Sequence, residues 1–243
     1  MSVPAKAFQQ WLHAAAPGSS MASVAALAGI KRSTLAQQLV RGKVAVSTVV
    51  ALSRALNLDP VTALSAFERF TDLAEGTKPP SQEELVSQLS DLDLLRQILG
   101  RNAAGSAAPV PVQELDALPH RTSVRCWIEA IDPGNLRQQI AGSLRIAPQN
   151  LSAQLTANRL PPAVAVETAR IAGVGLTNGL VAIGLLSPQE ARWPPDARQE
   201  ALRRLSDTEL VATAAVRLEA LGKTLRRVDQ DNEQTKALWE NLG

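Results

Sequence analysis

The chain has 243 residues, enough for one large or two ordinary domains, and a formal net charge of only +2. Hydrophobic residues make up 45% and aromatics 3%, so the core must be built from Ala, Leu and Val, a composition that favours closely packed helices. A single cysteine, Cys126, excludes a disulfide framework, and with only His13 and His120 beside it no metal site or cofactor is expected. No apolar run is long enough to span a membrane and no basic-then-apolar leader opens the chain, so a cytoplasmic protein is expected.

The charge is unevenly placed. Residues 1–70 carry seven Lys/Arg against two acids, residues 71–118 three against eight, and residues 119–186 six against three. Two basic segments therefore flank an acidic one, a pattern that suits attraction to phosphate backbones or an ordinary solvated surface.

In chain order, a first helix carries Trp11 and ends at Pro17-Gly18. "SVAALAG" then places Val24, Leu27 and Ala28 on one face of a second helix. Gly29 supplies the left-handed turn and Ile30 plugs it. "RSTLAQQLV" starts a third helix with Leu35 and Leu39 inward and Arg32, Ser33, Gln37 and Arg41 outward. "VSTVVALSRALNLDP" reads as a following helix capped by Ser47 and ended before Pro60. From Pro79 an acidic turn leads a short helical extension with Ser81 as N-cap and Glu83 and Glu84 in the first turn, and Ser90 caps a further helix. "AAGSAAPVPVQELDALP", Ala103 to Pro119, predicts an extended connector.

The same order then recurs at a constant offset of 116: Trp127 follows Trp11, Pro133-Gly134 follows Pro17-Gly18, Ile146 follows Ile30, Leu151 and Leu155 follow Leu35 and Leu39, and the "LSD" at Leu205 follows that at Leu89. Pro148 suits the first position of the helix that corresponds to "RSTLAQQLV", and Ser206 caps like Ser90. The charged tail after Leu221 reads as a frayed helix that Trp239 would dock, or else as a solvated tail. The expected fold is all-α, in two similar helical halves: residues 1–75 a helix-turn-helix domain, 76–105 a helical extension, 106–120 a Pro/Ala-rich linker, 121–190 a second such domain, and 191–243 a C-terminal extension and tail.

Helix, Gly-containing turn and helix is the arrangement that sets a second helix into the DNA major groove. The residues that carry it, Ala25, Leu27, Ala28, Gly29, Ile30, Leu35, Leu39 and Gly42, followed by "ALSRALNLDP", resemble helix-turn-helix domains of the lambda-repressor and Cro type over residues 7–68. Lys31 departs from the Ser or Thr cap common there, and the second copy has Arg145 in place of Gly29. "APQNLSAQLTANRLPPAVAVETARIAGV" and "LVAIGLLSPQEA" resemble the second domain of immunity repressors of temperate actinobacterial phages, in which two helical DNA-binding domains act in a single chain without dimerising.

The base-reading candidates are Arg32, Ser33 and Gln37 in the first unit and Gln149, Asn150 and Ser152 in the second, because Arg pairs bidentately with guanine and Gln or Asn with adenine. Lys31, Thr34, Arg41 and Lys43, with Arg137, Arg145 and Arg159, are candidates for phosphate, which gives affinity and salt dependence but no sequence choice. Arg54 and Arg170 suit either phosphate or an internal salt bridge, and Trp11 and Trp127 are expected to be packing anchors. Gln37 has become Ala153 and Arg32 has become Pro148, so the two units would read different bases of an asymmetric or bipartite operator. The expected partner is thus double-stranded DNA and the expected role a transcriptional repressor, not an enzyme: neither histidine has an evident nucleophile or carboxylate partner, and "GVGL" at Gly173 lacks the strand and third glycine of a phosphate loop. The alternative is a scaffold whose second unit binds protein or dimerises.

Overall fold

The computed structural model describes residues 2–102 and 114–242. The expected connector therefore lies outside the described residues from 103 to 113, as does the Trp239 side chain. The fold is all-α: helices follow one another along the chain, and a two-stranded antiparallel sheet is the one addition among the described residues. That sheet was not foreseen. It pairs β1 (Ser2–Pro4) with β2 (Lys43–Ala45), Val3 facing Val44, and both valines are buried.

The first helix-turn-helix region contains α1 (Ala5–Ala15), α2 (Met21–Leu27), α3 (Arg32–Val40), α4 (Val46–Ala55) and α5 (Pro60–Ser65), then a 3-10 turn at Glu68–Phe70. After α6 (Gln82–Ser87) and α7 (Asp91–Asn102) the order resumes with α8 (Ser123–Ile131), α9 (Leu136–Ser143), α10 (Pro148–Thr156), α11 (Pro162–Ala172) and α12 (Asn178–Ala182), and closes with α13 (Ala197–Arg204) and α14 (Asp207–Leu242). The bounds of α10 fall on those of α3 at the offset of 116, and those of α9 and α11 fall within a residue of α2 and α4.

Of the serine caps expected from the sequence, those at Ser81, Ser90 and Ser206 form and that at Ser47 does not. Ser81 and Glu84 form a reciprocal capping box on α6. The same exchange joins Ser90 to Asp93 (2.8 and 3.0 Å) and Ser206 to Glu209 (2.8 and 3.3 Å). Pro148 sits in the first turn of α10. Ser47, expected to cap α4, does not: the N-cap is Ala45, because β2 carries the chain straight into the helix and leaves Ser47 inside its first turn.

Two compact units cut across the sequence halves. The larger unit joins residues 1–88 to 117–197, so both helix-turn-helix regions share one body. Its core runs from Phe8, Leu35, Val49, Leu52 and Leu64 to Trp127, Ile128, Leu136, Ile140 and Leu180. Both tryptophans pack as anchors: Trp127 is 1% exposed, and Trp11 lies 5.8 Å from Phe8 and 6.1 Å from Phe67 between ring centroids. The smaller unit consists of residues 89–116 and 198–243. Within it α7 packs on α14, and Leu94, Leu210 and Ala214 of these helices are buried. There the buried Asp93 carboxylate accepts the Asp116 N–H at 2.9 Å and faces the Arg198 guanidinium at 3.6 Å. Arg101 joins Asp207 at 2.7 Å. The charged tail continues as helix to Leu242, and its described side chains beyond Lys223 are exposed.

Candidate nucleic-acid interface

The hairpin geometry is the same in both regions, bond by bond. At the end of α2, Ala28 N–H reaches Val24 C=O (3.2 Å), Gly29 N–H reaches Ala26 C=O (3.0 Å) and Ile30 N–H reaches back to Ala25 C=O (2.9 Å). At the end of α9, Leu144, Arg145 and Ile146 repeat these bonds to Ile140, Gly142 and Ala141 at 3.0, 3.3 and 3.0 Å. A bond from the residue after the left-handed position back five residues is the Schellman closure of a helix. Gly29 takes φ 65°, and Arg145 takes φ 51°, a conformation that disfavours side chains with a Cβ. The lost glycine has therefore not altered the turn. Left-handed positions also coincide at Gly42 and Asn158 and at Asn57 and Gly173.

The inward side chains anchor each hairpin: Leu35 and Leu151 are buried, with Ile30, Leu39 and Ile146 partly buried against the core. Leu27 is the correction here. It was expected inward with Val24, but it is 61% exposed, because Val24 and Ala25 take the inner face of the short α2.

The outward set is accessible as expected. Lys31, Arg32, Ser33, Thr34, Gln37, Arg41 and Lys43 are exposed around α3, and Arg145, Gln149, Asn150, Ser152 and Arg159 around α10. Residues 19–58 and 133–166 contain no acidic residue at all. Among the described residues no ion pair engages Lys31, Arg32, Arg41, Lys43, Arg145 or Arg159. Neither Lys31 nor Ala147 makes a side-chain cap, so the first N–H groups of α3 and the non-proline ones of α10 remain open to an anion. Arg137 differs from the rest of the phosphate set: its guanidinium stands 3.7 Å from Glu129. Arg54 and Arg170 resolve to internal pairs. Arg54 binds Glu190 bidentately at 2.6 and 2.7 Å, and Arg170 binds Asp72 at 2.8 and 3.0 Å and also Glu167. The Arg54 hydrogen bonds hold the Glu190 carboxyl below the usual carboxylate range, against the opposing effect of partial burial and with help from the Ser187 N–H.

One asymmetry concerns how α3 and α10 are fixed. Gln38 accepts the Ala45 N–H (2.8 Å) and the Thr48 hydroxyl (3.2 Å), tying α3 to β2 and α4. Its counterpart is Gln154, and at the offset of 116 Ala45 and Thr48 are replaced by Pro161, which has no N–H, and Val164, which has no hydroxyl. The buried Gln154 Oε1 has no partner among the described residues.

The buried carboxylate that ties α6 to the second region was not apparent from spacing. Glu84 is 1% exposed. Its carboxylate accepts the Ser81 N–H (3.0 Å), the Trp127 indole N–H (3.0 Å) and the Asn178 amide (3.1 Å). Asn178 in turn accepts the Trp193 indole N–H at 2.9 Å. The only sequence signal was the capping box, which accounts for a surface glutamate as well as a buried one. Cys126 is partly buried with its Sγ 3.5 Å from the Thr122 hydroxyl, and Gly173 ends α11 in the left-handed conformation rather than opening a phosphate loop. Among the described residues no group of His, Cys, Asp or Glu could hold a metal ion, and no helix is long and apolar enough to cross a membrane. The chain matches no known family, no characterised protein and no solved structure at a significant level.

Proposed function

We propose that the chain is a sequence-specific repressor that binds double-stranded DNA through two helix-turn-helix units, α2–α3 and α9–α10, which arose by internal duplication. The observation that carries the reading is the pairing of one hairpin geometry, down to the left-handed turn at Gly29 and Arg145, with two different outward surfaces free of acidic residues. A shared skeleton with changed exposed residues is what two readers of unlike base sequence require. Arg32, Ser33 and Gln37 read one element and Gln149, Asn150 and Ser152 the other, while Lys31, Thr34, Arg41, Lys43, Arg145 and Arg159 grip phosphates. The role is that of a phage immunity repressor acting on the chromosome in a bacterial cytoplasm, as a single chain. Selection from a random duplex pool at physiological salt tests this: one bipartite sequence should be enriched, with affinity at least about a thousandfold above arbitrary DNA. Enrichment of no sequence would refute it.

A second reading, a scaffold in which the α9–α10 unit binds protein, is favoured by one observation: the outward face of α10 carries Gln149, Asn150, Ser152 and Ala153 but no cation. Gln149→Ala with Asn150→Ala separates the two. Preference relaxed over one part of the site supports two DNA readers, and unchanged preference supports the scaffold.

A further inference from the structure

The larger unit contains three sets of contacts that cross between the helix-turn-helix regions, and they are reciprocal. Arg54 at the end of α4 reaches Glu190 and also the Leu185 carbonyl (3.0 Å). Arg170 is the equivalent of Arg54 at the offset of 116, and it reaches back to Asp72 at 2.8 Å. The 3-10 turn at Glu68–Phe70 packs on α11, and its equivalent, residues 184–186, is where Arg54 of α4 lands. Leu176 donates its N–H to the Gly76 carbonyl at 2.9 Å. The equivalents of that pair are Pro60 and Arg192, and Arg192 stands 3.6 Å from Asp59, the neighbour of Pro60. In each case surface i of one region meets surface j of the other, and j of the first meets i of the second.

Reciprocity of this kind distinguishes an isologous contact from a head-to-tail one. Successive repeats related by translation would bring one region's trailing face against the other's leading face, and the reverse contact would not exist within a pair. The two regions share one compact unit, and within it α6 is locked to the second region. The Glu84 carboxylate, on α6, bonds Trp127 of α8 and Asn178 of α12 in the interior, and a Cβ on Gly179 would stand 2.7 Å from both the Ala165 carbonyl and the Trp127 ring.

We propose that α3 and α10 are related by an approximate two-fold axis and that the chain therefore recognises two half-sites in inverted orientation at one fixed spacing, a covalent counterpart of a repressor dimer whose two readers differ. The inference rests on the DNA-binding reading above and adds orientation and spacing to it. A protein two-fold coincides with the dyad of the duplex, so the half-sites run toward each other, centred about one helical turn or a multiple of it apart. The operator is inverted in layout yet not palindromic in sequence, because Lys31, Arg32, Ser33, Thr34 and Gln37 face one half and Ala147, Pro148, Gln149, Asn150 and Ala153 the other.

The experiment makes the two readers identical. The exposed set of α3 is grafted onto α10 by Ala147→Lys, Pro148→Arg, Gln149→Ser, Asn150→Thr, Ser152→Ala and Ala153→Gln. A second protein carries the reverse graft, Lys31→Ala, Arg32→Pro, Ser33→Gln, Thr34→Asn, Ala36→Ser and Gln37→Ala. All of these positions are exposed, and circular dichroism checks that each full-length protein folds. Selection from a random duplex pool should return an inverted repeat of one element for either graft. Inserting five base pairs between the halves of the wild-type site should weaken binding at least about tenfold, because the second reader turns to the far side of the duplex. A direct repeat, a single half-site, or indifference to the insertion overturns the orientation while leaving wild-type sequence specificity intact. If the wild-type protein itself enriches no sequence, the DNA-binding reading falls and takes this one with it.

Discussion

Replacing Glu84 with glutamine tests whether the buried carboxylate holds the larger unit together. The side chain is 1% exposed and meets only donors: the Ser81 N–H and the Asn178 amide at one oxygen, and the Trp127 indole N–H and the same amide at the other. Glutamine keeps the shape but presents its own NH2 to one side. With its oxygen placed toward Trp127, the Ser81 N–H faces another donor and the capping box is lost. One buried donor left unsatisfied costs about 1–3 kcal/mol, and the relief of no longer burying a charge offsets part of that. The expected loss is therefore about 1–2 kcal/mol for Glu84→Gln. Glu84→Ala abandons the Trp127 and Asn178 donors as well and should lose about 3–5 kcal/mol. Urea unfolding followed by far-ultraviolet circular dichroism and tryptophan fluorescence measures both, with the midpoint moving and the slope unchanged. Adding Asn178→Asp to Glu84→Gln should recover part of the loss. The new carboxylate accepts from the glutamine amide and still accepts from Trp193, which now donates to Asn178. If Glu84→Gln unfolds within about 0.5 kcal/mol of wild type, the carboxylate does not tie α6 to α8 and α12.

Arg145→Gly separates the two roles of that residue. It relieves a non-glycine side chain from φ 51°, so stability should rise by about 0.5–1 kcal/mol, while the salt dependence of DNA binding falls by roughly one phosphate contact. A destabilised variant would show that the arginine side chain holds the turn. Glu190→Gln should lower stability at neutral pH by up to about 1 kcal/mol, because the Arg54 pair is partly exposed. The folded-state pKa of Glu190 lies below its unfolded value, so its contribution is present above the ordinary carboxylate range and is lost as pH falls through the depressed value. The gap between wild type and variant, read by urea unfolding across that range, should close on acidification, and a pH-independent gap would contradict the assignment. Arg32→Ala should cost about 1–3 kcal/mol of binding and relax one operator position, whereas Lys43→Ala should weaken all sequences alike. Equal profiles for the two variants in competition gel shifts would overturn the division between base and phosphate contacts.

Much of the hairpin was legible because it is local. The plug at Ile30, the inward Leu35 and Leu151, the caps at Ser81, Ser90 and Ser206 and the proline start at Pro148 each depend on residues within a turn or two of one another, and the structure has them all. The outward candidates were legible for the same reason, since helical periodicity alone decides which side chains face away from an apolar stripe. Where a second element competes for a face, periodicity gave the wrong side: Leu27 is exposed because α2 is too short to bury three positions. Ser47 lost its cap to a strand that exists only because the N-terminal residues return to pair with it.

The sequence by itself determined the repeat at an offset of 116, and with it the helical content and the residues that α3 and α10 expose, which follow from short-range spacing. Only the tertiary structure decided that Arg54 and Arg170 are spent on Glu190 and Asp72, that Glu84 is interior, and that the two regions meet reciprocally within one body. Those outcomes join residues some 40 to 140 positions apart. Which distant surfaces meet is set by the packing of the whole core, in which no short window of sequence has a deciding share.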